Sequence, residues 1–212
     1  MNNKQSFIWS VLSLFRKTIL VLPHKTAVML GGCVGALIPL FTHKKLMEAS
    51  KRCARILNIP EKEAMRIVRG AYRNFGKSTA EFIRLPVMAS KLDKVVTVYG
   101  EENLREAYDA GKGVLIVTAH LGNWEYAGAW CARHGYPMNA LGADQRDERI
   151  TDLVTDLRNA GGMKALGKAS DLKAMIRALQ AGEIIAVPVD QDAKRAGIVS
   201  PFLGHPASTP VG

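Results

Sequence analysis

Apolar and polar positions along this chain change period near residue 94. Before it, apolar residues recur three or four apart. Phe7, Ile8, Val11, Leu12, Phe15 and Ile19 predict an amphipathic helix over residues 6–20. Residues 26–42, TAVMLGGCVGALIPLFT, hold no charge over 17 positions, which is short of the roughly 20 that a spanning helix needs. They predict a helical hairpin lying in, or shallowly inserted into, a membrane interface, with a short span as the competing reading. A polar stretch, HKKLMEASKRCARILNI, leads to Pro60 and a helix expected from Glu61 to Leu85. Pro60 and Glu61 suit its start and Pro86 its stop. That helix carries Met65, Ile67, Val68, Tyr72, Phe75 and Phe82 among its arginines.

After residue 94 the chain alternates between two rhythms. KVVTVYG, KGVLIVTAH, PMNAL, MKAL and EIIAVPVD read as strands. EENLREAYDAG, NWEYAGAWCARHG, DERITDLVTDLRNAGG and SDLKAMIRALQAG read as helices, with Gly111 and Gly135 closing the first two and Ser170 as N-cap of the last. Strands alternating with helices of this length predict an α/β fold, with a mostly parallel central sheet flanked by helices. The last segment, SPFLGHPASTPVG, has turn chemistry and no charge. It reads as a loop that stops early, as though a longer protein had been cut.

Charge sharpens the division. The chain is net +10, but residues 1–94 hold 17 Lys and Arg against 5 Asp and Glu, whereas residues 95–212 hold 12 against 14. A basic, apolar, helical region over 1–94 points to an anionic membrane surface, and the remainder, 95–212, to an α/β core. No groove-reading module for nucleic acid is visible. Arg16 and Lys17 interrupt what would be the apolar core of a cleavable signal. Cys33, Cys53 and Cys131 form no CxxC, and read as small buried apolar side chains in a reducing compartment.

The candidate chemistry sits where strands end. TAHLGNWE follows the apolar run GVLIV. On one continuous helix, His120 and Glu125 would be about 140° apart and would not meet. Across a strand-to-helix turn they converge, with Gly122 permitting the turn and Asn123 capping the helix. A histidine held by a carboxylate is suited to act as a general base. The competing reading makes Asn123 and Glu125 mere helix-terminus residues. Asp190 and Gln191 follow the strand IIAVPV directly, again at the edge of an α/β sheet where ligands bind. A metal site would need a further histidine or cysteine at ligand spacing, and none is seen. Arg158 lies one turn before a glycine, where it either complements the helix dipole or faces the site to bind negative charge. Arg146 and Arg149 read as surface charges. There is no GxSxG, Walker loop or GxGxxG after a strand.

HLGNWE, VPVDQD and SPFLGHPASTPVG, in this order and spacing, resemble the lauroyl/myristoyl branch of the lipid A biosynthesis acyltransferases, within the lysophospholipid acyltransferase superfamily. The matching positions are His120 through Glu125, Asp190 and Gln191, then Phe202, Gly204, Ala207, Thr209 and Gly212. Two features depart from the pattern: LGAD stands where members often carry Arg-Pro, and members usually continue for about another third of this length.

The resemblance implies an O-acyltransferase that moves a fatty acyl group from a thioester, on acyl carrier protein or CoA, to a hydroxyl of a lipid A precursor or related glycolipid. His120 would be the general base and Glu125 its orienting carboxylate. Gly122 and Asn123 would offer backbone N–H groups to an oxyanion or phosphate, Arg158 would stabilise negative charge, and Asp190 and Gln191 would support the substrate site. No cofactor or metal is implied, and the expected place is the cytoplasmic face of the inner membrane, on an anionic surface. Two other readings stand beside it: a catalytically impaired membrane-binding remnant, suggested by the ending, and a metal-dependent hydrolase using His120, Glu125 and Asp190.

Overall fold

Prolines mark the start of two of the four early helices, and acidic residues fill the first turn of one. In the computed structural model, which describes residues 3–142, 145–168 and 172–210, α1 spans Asn3–Val21 and Pro23 precedes α2, His24–Phe41. Helix α3, His43–Leu57, ends where Asn58 turns left-handed at φ 51°. Pro60 precedes α4, Glu61–Ile83, whose first turn carries Glu61 and Glu63 against the helix dipole. Helix α4 stops two residues before the predicted end. Pro86 does not close it; it sits in the first turn of the short α5, Leu85–Met88, where a missing N–H costs nothing. Helix α6 is Glu101–Asp109.

The predicted strand KVVTVYG does not form. A 3₁₀ turn over Ala89–Lys94 leads into irregular chain, in which Val95 and Val98 are exposed and Tyr99 is 90% exposed. Of the valines there only Val96 packs against the core, so no alternating face is buried to hold a strand. The other alternations fold as expected: β1 Val114–Thr118, α7 Trp124–Arg133, β2 Met138–Gly142, α8 Glu148–Ala160, β3 Lys164–Lys168, α9 Leu172–Gln180 and β4 Ile184–Pro188. The predicted N-cap Ser170 lies outside the described residues.

The chain divides into two compact units, one of Met1–Leu20 with Phe82–Pro188, the other of Val21–Glu81 with Val189–Gly212. The first holds a four-stranded, all-parallel sheet in the order β1-β4-β2-β3. β4 enters between β1 and β2, and its Ile184 and Ile185 are fully buried. The core gathers Leu85, Met88, Leu92, Tyr126, Trp130 and Met138 around that strand. The indole N–H of Trp130 donates to Asp93 at 3.0 Å and the His134 ring stacks on it at 4.0 Å, which pins α7 to the 3₁₀ turn. Asn139, buried on β2, donates to Glu183 at 2.8 Å and to the Ile184 carbonyl at 3.1 Å, satisfying its amide where β4 begins.

Helix α1 joins this unit through two arginines. The buried Arg84 donates to the carbonyls of Ile19 and Leu20, which the end of α1 leaves without helical partners. Arg149 is not the surface charge expected from the sequence. Its guanidinium lies 5.0 Å from the centre of the Trp9 ring, donates to the Gln5 carbonyl at 3.3 Å, and pairs with Asp147 at 2.6 Å. Asp147 also caps α8, accepting from the Arg149 backbone N–H at 3.2 Å.

In the second unit, α2 and α4 cross at glycines. A Cβ at Gly31 would lie 2.4 Å from the Gly76 carbonyl oxygen, and one at Gly35 equally close to that of Tyr72. The Cys33 side of α2 is exposed, against the expectation of a buried cysteine. Among the described residues, α2 is the one helix long and apolar enough to cross a membrane by length and composition.

The chain's last described stretch is an antiparallel hairpin, β5 Ile198–Phe202 and β6 His205–Thr209, rather than the loop predicted. Its two-residue turn, Leu203-Gly204, has positive φ at both positions. Pro201 and Pro206 face each other one step from the residues flanking the turn, at a pair that exchanges no backbone hydrogen bonds. Phe202, Gly204, Ala207 and Thr209 all belong to this hairpin, and Gly212 lies outside the described residues.

Candidate active site

The connection from β1 to α7 is built as its sequence requires. Apolar residues end at Thr118, the Leu121 N–H bonds back to the Ala119 carbonyl at 2.8 Å, and Gly122 takes φ +58°, which favours glycine. Asn123 then caps α7: its side-chain oxygen accepts the Tyr126 N–H at 3.0 Å. His120 is thereby delivered by the turn and Glu125 by the first turn of the helix.

Both line one pocket of about 250 Å³ at the carboxyl ends of β1, β4 and β2, with Thr118, Pro188 and Leu141 at its rim. From β1 to β2 to β3 the sheet grows in one direction, and β4 then returns to its middle, leaving the crevice where ligands of open α/β sheets bind. Asn123 and Arg158 line the same pocket, with Ile116, Met138 and Met163 supplying apolar walls.

Glu125 is held firmly. Arg158 Nε donates to its Oε2 at 3.0 Å and Nη2 to its Oε1 at 2.8 Å, and the Trp124 indole N–H adds a third bond at 3.2 Å. Both side chains of the pair are nearly buried, so the bidentate geometry is screened little by water. Arg158 Nη1 also donates to the Leu141 carbonyl at 3.2 Å. That carbonyl sits where the β2–β3 register slips, and a Cβ on the next residue, Gly142, would lie 3.0 Å from Nη1. The arginine thus ties α7, β2 and α8 together around one carboxylate. The His120 ring stands edge-on to the Trp124 ring, 4.8 Å between centres, so the two predicted partners bracket an indole that sequence reasoning had not singled out.

Asp190 and Gln191 follow β4 within two or three residues but belong to the second unit, and the pocket lining stops at Pro188. Cys131 also lines the pocket, and burial pushes its thiol up to about 11, so it stays protonated at neutral pH.

A family model described as bacterial lipid A biosynthesis acyltransferase matches residues 3–212. Among curated proteins, the chain is 26% identical over 172 residues to a phosphatidylinositol mannoside acyltransferase of Mycobacterium tuberculosis (strain CDC 1551 / Oshkosh), covering 76% of this chain and 54% of that one. It is 24% identical over 151 residues to a protein of the same name from Mycolicibacterium smegmatis, covering 69% of this chain and 50% of that one. The chain spans about half the length of the curated relatives it matches.

Proposed function

The chain belongs to the bacterial lipid A biosynthesis acyltransferase family, and from that premise we propose that it moves a fatty acyl group from a thioester to a hydroxyl of a membrane glycolipid. The observation that carries this reading is the convergence of His120 and the Glu125–Arg158 pair on one pocket at the sheet's carboxyl edge. Acyl carrier protein or acyl-CoA supplies the acyl group. A lipid A precursor, or a mannosylated lipid of the kind named for the relatives, receives it.

His120 takes the proton from the acceptor hydroxyl as its oxygen attacks the thioester carbonyl. The carbon–sulfur bond then breaks, and the departing thiolate recovers the proton from the imidazolium. No acyl-enzyme forms. Glu125 orients the histidine and balances the charge it gains; Arg158, which fixes that carboxylate, keeps it in place while the charge changes. Backbone N–H groups near Gly122 and Asn123 receive the oxyanion. The apolar pocket wall beside these residues suits an acyl chain.

The basic helical region up to residue 94 holds the enzyme on anionic lipid at the cytoplasmic face of the inner membrane, with α2 reaching into the acyl layer. Among the described residues no three His, Cys, Asp or Glu gather as a metal-ligand set.

The test is acyl transfer, followed by mass spectrometry, from acyl carrier protein and CoA thioesters to a lipid A precursor and to a phosphatidylinositol mannoside. The expected result is an ester product that His120→Ala abolishes. Inactivity with every donor and acceptor, both in this chain and in a version extended at its C-terminus, would refute the enzyme reading in favour of a membrane-binding remnant.

A further inference from the structure

The second unit contains a cavity that the proposed chemistry does not use. It lies between α2, α3 and α4 and has a volume of about 600 Å³, within the usual range of ligand pockets. Arg66, Arg69 and Arg73 line it from α4, spaced three and four apart and therefore on one face of that helix. His43, at the start of α3, and Leu40, on α2, also line it. No acidic residue lines the cavity, and none of the three arginines has an ion-pair partner among the described residues. Three guanidinium groups around one concavity repel one another unless an anion joins them.

Gly70 supplies an independent observation. The neighbouring glycines Gly31, Gly35 and Gly76 are explained by close helix crossing, but a Cβ at Gly70 would meet nothing within 4 Å. Glycine inside a helix weakens it relative to alanine, so packing gives no reason for Gly70. It does line the cavity, between the three arginines, and its missing side chain leaves that wall open.

The occupant follows from what adjoins the arginines. Leu37, Leu40 and Phe41, on the last turns of the apolar α2, are exposed, Phe41 to 88%. A cationic concavity beside an exposed apolar helix end matches the boundary of a bilayer, with phosphates at the level of the arginines and acyl chains beside α2. We propose that this cavity binds the phosphodiester of an anionic membrane phospholipid, with Arg66, Arg69 and Arg73 as its ligands and Gly70 as the residue that keeps it open. The proposal rests on the membrane part of the function inferred above, but it concerns lipid binding and not transfer.

The test is flotation of the full chain with phosphatidylcholine vesicles, with and without phosphatidylglycerol. The triple variant Arg66→Ala, Arg69→Ala, Arg73→Ala is compared with a charge-matched control, Arg52→Ala, Arg55→Ala, Lys62→Ala, each checked for folding by circular dichroism. The expected result is a loss of affinity for phosphatidylglycerol vesicles of about five-fold per cavity arginine, and a clearly smaller loss in the control. Gly70→Met, which keeps every charge and fills the cavity, is expected to weaken the same binding.

Equal losses in both triple variants, or a Gly70→Met protein that binds like wild type, would show diffuse electrostatic attraction and overturn the proposal. So would inorganic phosphate bound with the same arginine dependence and no preference for vesicles, which marks a free-phosphate site. Retained vesicle binding with lost binding of acidic acyl carrier protein would assign the arginines to a protein partner and overturn it equally. Because flotation needs no turnover, a failure of acyl transfer leaves this result standing, and the converse also holds.

Discussion

Arg158 grips both carboxylate oxygens of Glu125, at 2.8 and 3.0 Å, from a helix that begins more than twenty residues after Glu125. The sequence alone left Arg158 between a dipole-complementing role at the end of α8 and a site role. It lies in the last turn of that helix, and its side chain nonetheless turns to the pocket. The carboxylate proposed to orient the catalytic base is itself oriented, and the guanidinium that does so is anchored to the β2 backbone.

Breaking that pair from one side is expected to be costly. Arg158→Met leaves a nearly buried carboxylate without its cation and should lower stability by about 3 kcal/mol, the scale for a broken buried pair. Urea denaturation measures this, and the double variant with Glu125→Gln should recover part of the loss. An unchanged midpoint in Arg158→Met would show that the pair contributes little to the fold.

His120 makes the opposite case. Loss of a general base should lower the acyl-transfer rate roughly 10²–10⁴-fold, whereas His120→Ala should cost the fold only about 1 kcal/mol, the scale of the edge-on contact with Trp124 that it gives up. Wild-type turnover in this variant would remove His120 from the mechanism.

The turn between β1 and α7 was legible because each residue's demand is local: an apolar run, a glycine able to take positive φ, an asparagine able to cap. Arg149 was not legible, because its place over Trp9 depends on a helix at the other end of the chain. The hairpin at Ile198–Thr209 was hidden by Pro201 and Pro206, which argue against strands until their cross-strand pairing is known. KVVTVYG misled in the other direction, since β-branched residues favour a strand only where a sheet face receives them. Asp190 and Gln191 do follow an apolar strand, β4, as its pattern predicts, but the pocket lining stops at Pro188 and the two residues belong to the other unit.

Acid should loosen the attachment of α1. Arg149 holds the Asp147 carboxyl below the usual carboxylate range. A depressed value in the folded state adds stability that is present above the unfolded value of about 3.9 and is lost as pH falls through the folded one. The difference in urea midpoint between wild type and Asp147→Asn should therefore be open at neutral pH and close below about pH 4. A difference that stays constant with pH would mean the ion pair does not contribute.

The helix crossing of the second unit predicts two opposite results from one kind of substitution. Gly76→Ala puts a methyl 2.2 Å from the Gly31 carbonyl oxygen and should cost about 1–3 kcal/mol as overpacking. Gly70→Ala meets open space and should stabilise by about 0.5–1 kcal/mol. Thermal melts followed by circular dichroism give both values. A Gly76→Ala protein as stable as wild type would rule out tight contact between α2 and α4.

Thiol labelling should separate the cysteines. With its value near 11, Cys131 is a thiolate in about one molecule per thousand at pH 8, and Cys33 is exposed on α2. Brief iodoacetamide treatment followed by peptide mapping should modify Cys33 well before Cys131. Preferential labelling of Cys131 would mean that the pocket opens in solution.

The place of β4 also bears on how the protein is made. Its Ile184 pairs with Val114 on one side and Met138 on the other, so β1 and β2 have no common neighbour until the last strand of the sheet leaves the ribosome. Contacts this distant in sequence form slowly. A nascent chain that already carries His120, Glu125 and Arg158 still lacks Ala186 and Pro188, which complete the pocket wall. The pocket wall is therefore complete only once β4 has been made, and a chain released before residue 184 would hold the proposed catalytic side chains without a place for them to meet a substrate.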